Sequence, residues 1–450
     1  MANNFLVKTT IRREISPSMI PLNHFHAALI LGIAMLAFGC KQKTAPSSAV
    51  KPPEAEPSAP AAIPVAVSMQ GMTRGGKPYF VHGVGGDKNL KALADRGGNS
   101  IRTWSTNGLD VILDEAEKLD LTVSAGIWLE NECDWFSYKN PQHCQKQAER
   151  VRKEVTTYRN HPALLAWGVG NEAEGDGNND AYWQQLERLA LLVKEIDPLH
   201  PTFTAVAGLN PAKAQGLMKF TPSLDYVGVN TYGGVFGLRK HLQNVGWNRP
   251  WLLTEWGPRG FWESKKTSYG SPIEQTSSEK AEMMLRAYRE VIRPDGGCLG
   301  NYAFVWSWKF ESSATWFGLY THEGDTTASV DVLEEVWKGR KAANRAPDIT
   351  PITGMPTTAI KPGQSWQPRV TATDPDGDSL QWQWSILPEM QGHQHNGRKM
   401  PDPVPDTVMQ ELTAAPEVKA PNKPGIYRLY VWVKDGRGHA ATANAPFEVR

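Results

Sequence analysis

Two glutamates occupy similar positions in the 450-residue chain, each at the end of a short apolar run. Glu172 closes Leu-Leu-Ala-Trp-Gly-Val-Gly-Asn-Glu, and Glu255 follows Trp-Leu-Leu-Thr. Such runs are typical of buried strands, so each carboxyl group should stand at the rim of a sheet, where α/β proteins carry their chemistry. Two carboxylates that face each other could act as a general acid and a nucleophile, the pair that cleavage of a glycosidic bond requires.

The overall composition narrows the classes of function. Lys+Arg 48 and Asp+Glu 47 leave a net charge of +1, and no basic run interleaved with aromatics favours a nucleic-acid partner. The 17 Trp residues supply flat apolar faces that suit sugar rings as well as a core. No cofactor is expected, and the clustered histidines of metal-dependent barrel hydrolases are lacking, so no metal ligands are assigned.

Eight short apolar runs alternate with helix-like segments and predict the elements that must position the two glutamates. The runs are 79–84, 99–104, 121–128, 164–169, 202–206, 225–230, 251–255 and 301–306. Amphipathic spacing predicts helices such as 108–119 and 180–196. The number of runs and the length of the segment favour a (β/α)8 TIM barrel that spans residues 69–343. Glu172 then follows strand four and Glu255 follows strand seven. A doubly wound sheet is the alternative, but the glycines after strand one lack GxGxxG spacing.

The pattern changes after the barrel. Residues 346–450 combine turn signals with alternating strands and predict an immunoglobulin-like β-sandwich similar to cadherin-like modules of secreted enzymes. Asp374, Asp376 and Asp378 could hold Ca²⁺, although a solvated Asp-Gly turn is the preferred interpretation.

The N-terminal segment indicates export. Residues 1–39 read as a signal peptide, and Leu36-Ala37-Phe38-Gly39-Cys40 resembles a bacterial lipoprotein lipobox. The resemblance implies lipidation of Cys40, with the Pro- and Ala-rich residues 40–68 as a flexible tether to the membrane of the cell envelope. The alternative is a simple cleaved signal and a secreted protein. In an oxidising envelope Cys133 and Cys144 could form a disulfide, which leaves Cys298 as a buried thiol.

At the strand ends the chain resembles a known family. Asn160-His161-Pro162-Ala163-Leu164-Leu165-Ala166-Trp167-Gly168-Val169-Gly170-Asn171-Glu172 resembles the strand-four signature of glycoside hydrolase family 2, and Thr254-Glu255-Trp256-Gly257 its strand-seven nucleophile. The wider resemblance is to the retaining β-glycosidases of clan A.

The resemblance implies a role for each matching residue. Glu172 would be the general acid/base and Glu255 the nucleophile. Asn171 would bind the sugar 2-hydroxyl. Arg102 would support the nucleophile, and Tyr232 would donate a hydrogen bond to its carboxylate. Trp306 would form the platform on which the sugar ring stacks.

Further candidates come from their positions near strand ends. Trp128 and Trp256, like Trp104 and Trp262, are candidate sugar platforms or core residues, and His82 is a sugar ligand or a core histidine. Three other acidic residues could serve as alternative acids or substrate contacts: Glu130, Glu132 and Glu174.

The departures from family 2 shape the functional hypothesis. Family members usually carry two domains before the barrel that help to enclose a terminal sugar, and here a tether is predicted there. We therefore expect an open cleft and a retaining β-glycosidase, or a β-glucan transglycosidase, acting on a β-linked oligo- or polysaccharide. The alternative is a non-catalytic carbohydrate-binding envelope lipoprotein.

Overall fold

A computed structural model describes residues 61–390, 399–409 and 412–450 of the chain. The predicted signal peptide, Cys40 and most of the predicted tether lie outside the described residues. In the described part, no helix has the length and apolar character needed to cross a membrane.

A small antiparallel sheet precedes the barrel. Its strands are β1 Val65–Ser68, β2 Gly71–Arg74 and β3 Lys77–Tyr79, in the order β1-β2-β3. Val65 and Met72 pack against barrel residues such as Leu165 and Phe203, so this sheet covers one end of the barrel. Because β1 is a strand, the prediction that the tether extends to residue 68 is wrong at its C-terminal end.

Eight parallel strands then close into a barrel, as predicted. They are β4 Val81–Gly85, β5 Ser100–Arg102, β6 Thr122–Ile127, β7 Leu164–Asn171, β8 Thr202–Ala207, β9 Tyr226–Asn230, β10 Trp251–Trp256 and β11 Cys298–Ala303. β11 pairs with β4, which completes the ring β10-β11-β4-β5-β6-β7-β8-β9. The TIM-barrel prediction is confirmed, and the doubly wound alternative is wrong because the sheet has no free edge.

Helices follow the strands around the outside of the barrel. They are α1 Leu90–Asp95, α2 Leu109–Lys118, α3 Pro141–Tyr158, α4 Asp180–Ile196, α5 Pro211–Phe220, α6 Leu238–Asn244, α7 Ser277–Glu290 and α8 Ala328–Lys338. Local sequence sets several of their starts. Asn179 accepts a hydrogen bond from the Tyr182 amide to cap α4, and Thr276 and Glu279 form a capping box on α7.

Short antiparallel sheets form the C-terminal domain. Their strands are β12 Asp348–Ile349, β13 Ser365–Trp366, β14 Ala372–Thr373, β15 Gln381–Pro388, β16 Val408–Met409, β17 Glu417–Lys419, β18 Gly425–Lys434 and β19 Ala440–Val449. Sheets β15-β18-β19, β13-β17-β16 and β12-β14 enclose a core that includes Trp384, Leu429 and Phe447. This confirms the predicted β-sandwich.

The Asp-rich segment of this domain forms a turn. The Asp374 carboxylate accepts hydrogen bonds from the amides of Asp376 and Asp378, and Asp376 pairs with Arg345 at 2.8 Å. These contacts form an Asp-Gly turn, but Oδ2 of Asp374 and Oδ2 of Asp378 are buried without a hydrogen-bond partner among the described residues, so both the solvated turn and the Ca²⁺ site stay predictions.

The predicted disulfide is not formed. Cys133 is an exposed free thiol and Cys144 a buried one, and the Cys144 thiol donates to the carbonyl of Tyr138. The prediction is wrong because Cys144 lies in the first turn of α3 with its side chain toward the core, whereas Cys133 lies at the surface. Cys298 is buried, as expected.

Candidate active site

A cavity of about 900 Å³ lies at the C-terminal ends of the barrel strands. Both glutamates singled out by the sequence line it, together with aromatic, amide and charged side chains. The cavity-lining residues used below are Trp104, Trp128, Asn171, Glu172, Asn230, Tyr232, Glu255, Trp262, Glu263, Phe304, Lys309 and Glu311.

Glu255, near the end of β10, accepts hydrogen bonds from three side chains. Its Oε1 lies 3.0 Å from Nη1 of Arg102 and 2.7 Å from Nε1 of Trp104, and its Oε2 accepts from the hydroxyl of Tyr232 at 3.0 Å. Arg102 is only 3% exposed, so its charge is poorly screened by water. These contacts favour an ionised carboxylate in a fixed orientation.

Arg102 also connects the two halves of the site. Its Nη1 donates to the carbonyl of Thr254 at 2.9 Å, and its Nη2 donates to Oδ1 of Asn171 at 2.6 Å. This bond turns the amide nitrogen of Asn171 away from the guanidinium. Asn171 lines the cavity, so its Nδ2 can donate to a bound ligand.

Glu172 follows β7 in a left-handed backbone conformation, with φ of 51°. That conformation is unfavourable for a non-glycine residue and is typical of functional sites. The backbone amide of Glu172 donates to the carbonyl of Ala205 at 2.8 Å, which holds the turn against β8.

The Glu172 carboxyl group has a different environment from that of Glu255. Nδ2 of Asn230 donates to its Oε1 at 2.8 Å, and the hydroxyl of Thr254 donates to Oδ1 of Asn230 at 2.6 Å, which sets the orientation of the amide. Burial raises the pKa of Glu172, and the nearby Glu255 raises it further. The site therefore contains one carboxyl group whose pKa is raised by burial and one that accepts hydrogen bonds from a guanidinium, an indole and a phenol.

Five of the six residues to which the resemblance gives a role come together in this cavity. Glu172, Glu255, Asn171 and Tyr232 line it, and Arg102 lies beneath Glu255.

The predicted aromatic platforms divide into two groups. Trp128 and Trp262 line the cavity and are 45% and 49% exposed, so their faces are accessible to a ligand. Trp256 and Trp306 are fully buried, and neither lines the cavity. Their assignment as sugar platforms is wrong because their indole nitrogens donate inside the protein, to Oδ1 of Asn301 and to the carbonyl of Asn89 respectively.

His82 and the alternative acids also lie outside the cavity lining. His82, on β4, contacts the hydroxyl of Tyr288 on α7 at 3.0 Å, so it is a packing residue and its assignment as a sugar ligand is wrong. Each of the three acids has other partners: Glu130 pairs with Arg150, Glu132 accepts from Ser137, and Glu174 pairs with Lys213.

The structure also brings in residues that the sequence did not assign to these roles. Trp104 had been considered only as a platform, and it donates to the nucleophile candidate. Asn230 had no assigned role, although a polar residue at the end of an apolar strand was an available signal. Phe304 lies within the predicted run 301–306 but had no assigned role. Lys309 and Glu311 follow β11 in a loop with no regular pattern, so nothing in the sequence indicated their position.

Part of the barrel is similar to known proteins. Residues 104–268, which include Glu172 and Glu255, match the family model described as "Glycosyl hydrolases family 2, TIM barrel domain". Human beta-glucuronidase is 26% identical over 206 residues, covering 40% of this chain and 29% of that protein. A beta-galactosidase of Klebsiella pneumoniae is 24% identical over 159 residues, covering 35% of this chain and 13% of that protein. The chain thus spans less than a third of the length of these relatives.

A solved structure shows the same fold. The beta-glucuronidase of Faecalibacterium prausnitzii superposes with a TM-score of 0.50 at 15% identity, covering 62% of this chain and 52% of that chain. The fold and the site define a (β/α)8 domain with two carboxylates at its strand ends. Over residues 104–268 this domain is similar to the TIM barrel domain of glycosyl hydrolases family 2.

Proposed function

We propose that this protein is a retaining β-glycosidase that acts on a β-linked oligo- or polysaccharide, with hydrolysis or glycosyl transfer as the outcome. The observation that carries the proposal is the difference between the two carboxyl groups. Glu255 accepts from Arg102, Trp104 and Tyr232, whereas Glu172 is buried with one amide donor and a raised pKa. A double displacement needs an anionic nucleophile and a protonated acid before the first step.

The proposed reaction has two steps. In the first, an oxygen of Glu255 attacks the anomeric carbon while Glu172 gives its proton to the departing glycosidic oxygen. The negative charge of Glu255 is then lost in a covalent ester, so Glu172 can act as a base. In the second step Glu172 removes a proton from water, or from a sugar hydroxyl in the case of transfer, as that oxygen attacks the anomeric carbon and releases Glu255.

The shape of the cavity supports action on an extended chain. Trp128 follows β6 and Trp262 follows β10, so the two exposed indoles come from different parts of the strand-end surface. Indole faces stack on the C-H faces of pyranose rings. Two indoles on different loops could each stack on a sugar ring, which fits a β-glucan or a similar glycan.

Mutation of each glutamate tests the proposal. Wild type, Glu172→Gln and Glu255→Gln would be assayed on aryl β-glycosides and soluble β-glucans, with Glu282→Gln, an exposed residue of α7, as the matched control. We expect each site variant to lose about 10⁴-fold or more in kcat and the control to keep wild-type activity. Proton NMR of the first product should show the β anomer, and a 2-deoxy-2-fluoro glycoside should label Glu255 in a peptide map. Equal turnover in all variants, an inverted product or a label elsewhere would contradict the proposal.

The same assay addresses the alternative of a non-catalytic carbohydrate-binding protein. That alternative predicts binding to β-glucan with no turnover in any variant. The observation against it is that both carboxyl groups and all three donors to Glu255 are in place.

We also propose that the protein is anchored to the cell envelope through Cys40. The lipobox-like sequence before this residue supports the proposal. Metabolic labelling with a palmitate analogue in a bacterial host should mark the wild type and not Cys40→Ser. Labelling of both proteins would contradict it.

A further inference from the structure

The wall of the cavity is acidic. Among the described residues that line it, four are glutamates, and Lys309 is the single cation. Two of the glutamates belong to the proposed reaction. The other two, Glu263 and Glu311, have no role in it, and their contacts indicate what kind of sugar the cavity can accept.

Lys309 is already paired. Its Nζ lies 2.6 Å from Oε2 of Glu311, and it stands 4.9 Å from the ring centroid of Phe304. The Glu311 side chain is 9% exposed and the Lys309 side chain 30%, so the carboxylate is buried while the ammonium group is partly open to solvent. The charge of Lys309 is therefore compensated before any ligand binds, and a ligand anion would have to compete with a buried carboxylate for it.

The carboxylate of Glu263 accepts hydrogen bonds from backbone amides that could otherwise bind an anionic ligand. Its carboxylate accepts from the backbone amides of Gly233, Gly234 and Gly260 at 2.7, 3.1 and 2.8 Å. A cluster of amides of this kind is a common way of binding a carboxylate or phosphate. Here the protein fills the cluster with its own side chain. Lys240 lines a separate, smaller cavity.

We propose that the cavity is selective for neutral pyranosides over uronides, and that the Lys309–Glu311 pair is the specificity determinant that binds their hydroxyl groups. A sugar hydroxyl both donates and accepts, so Glu311 can accept from one hydroxyl while Lys309 donates to its neighbour, without loss of the ion pair. A uronate carboxylate in the same place would meet the like charge of Glu311 and could pair with Lys309 only at the expense of the Lys309–Glu311 ion pair. The inference rests on the proposed function and sets this protein apart from the relatives named as glucuronidases.

Matched substrates test the selectivity. The pairs are 4-methylumbelliferyl β-glucoside with β-glucuronide and β-galactoside with β-galacturonide, which differ only at C6. We expect kcat/KM for the preferred neutral member to exceed that of its uronide by about 100-fold or more, a discrimination that polar contacts in a buried site can supply. In Glu311→Gln, which leaves Lys309 without its counter-charge, this ratio should fall about tenfold, whereas Glu282→Gln should keep the wild-type ratio. A uronide turned over as well as its neutral partner would overturn the inference while leaving the proposed function intact.

A binding measurement makes the inference independent of turnover. Calorimetry would compare isofagomine with its C6-carboxylate analogue on the wild type and on folded Glu255→Gln. Tighter binding of isofagomine, by about tenfold or more, is expected for both proteins. Equal or tighter binding of the carboxylate analogue would overturn the inference whether or not any aryl glycoside is cleaved. A lack of cleavage would count against the proposed function alone.

Discussion

At the scale of single residues, the site places two chemically identical side chains in different environments. Glu255 accepts hydrogen bonds from three side chains. Glu172 is largely buried and accepts a hydrogen bond from the side-chain amide of Asn230. Because burial and the charge of Glu255 both raise the pKa of Glu172, the acid should stay protonated to a higher pH than an exposed glutamate.

The pH profile tests this assignment. In the proposed reaction protonated Glu172 is the active form. For a substrate with a poor leaving group, kcat/KM should therefore be retained as pH rises toward the raised pKa and should fall about tenfold per pH unit above it. Glu172→Gln should lose this basic limb with a 2,4-dinitrophenyl glycoside, whose departure needs no proton. Initial rates across the pH range would measure both profiles. A basic limb that persists unchanged in Glu172→Gln would show that another group is the acid.

The hydroxyl of Tyr232 provides a second test at this scale. Tyr232→Phe removes the donor to Oε2 of Glu255 but keeps Arg102 and Trp104 on Oε1. A hydrogen bond to a charged group contributes about 1.5–3 kcal/mol, so kcat should fall roughly 10- to 150-fold. Tyr320→Phe is the matched control, because the buried Tyr320 hydroxyl has no hydrogen-bond partner among the described residues and lies outside the cavity lining. Steady-state kinetics of both variants would be compared, and equal losses would argue against a role for the hydrogen bond.

At the scale of elements, apolar periodicity predicted all eight barrel strands and the order of the two glutamates along them. It did not predict β1 to β3, because these short strands follow a Pro- and Ala-rich segment and contain few alternating apolar residues.

Apolar periodicity also could not say which face of a doubly buried strand each residue occupies. Trp256 follows Glu255 on β10, so alternation sends its side chain to the opposite face, toward Tyr288 of α7. The loop that carries Lys309 and Glu311 has no period at all and is defined only by tertiary contacts.

A glycine on β6 allows β5 to place Trp104. A Cβ at Gly126 would come within 2.4 Å of the carbonyl oxygen of Thr103 and 2.6 Å of the carbonyl carbon of Trp104. Because these atoms are backbone, Gly126→Ala must shift the segment from which Trp104 reaches Glu255. We expect a loss of about 1–3 kcal/mol in the free energy of unfolding, together with a lower kcat.

Gly237→Ala is the control for this substitution. A Cβ at Gly237 meets nothing within 4 Å, and φ is −88°, which alanine adopts without strain. Chemical denaturation and kinetics would be measured for both variants. If Gly126→Ala kept wild-type stability and activity, the close approach would have no role in positioning Trp104.

At the scale of the whole molecule, the C-terminal sandwich supports one wall of the cavity. The carboxylate of Glu274, before α7, accepts from Lys280 of α7, from the Ser313 and Thr315 hydroxyls of the loop after β11, and from Asn444 of β19. Burial alone would raise the pKa of Glu274, but Lys280 and Arg428 hold it below its ordinary value.

This buried cluster connects the sandwich to the proposed specificity determinant. Ser313 and Glu311 exchange backbone hydrogen bonds at 2.7 and 3.2 Å, so the cluster that fixes Ser313 also fixes Glu311. The amide of Ala314 donates to the hydroxyl of Tyr430 on β18, which adds a second link between the loop and the sandwich. The sandwich is therefore part of the structure that shapes the cavity, in addition to any role in attachment.

Asn444→Ala tests this connection from the side of the sandwich. The variant removes the donors to Glu274 and Thr315 and the acceptor for Arg428. Leaving these buried groups unsatisfied should lower the free energy of unfolding by about 1–3 kcal/mol. Since Glu311 would be held less firmly, KM for the preferred neutral glycoside should rise and the neutral-to-uronide ratio of kcat/KM should fall.

Glu323→Gln is the matched control for Asn444→Ala. It removes a more exposed ion pair with Lys434 of the sandwich, which is worth less than about 1 kcal/mol. Denaturation curves and kinetics on the matched substrates would be measured for both. A loss of stability in Asn444→Ala with unchanged KM and selectivity would show that the sandwich stabilises the barrel without shaping its cavity.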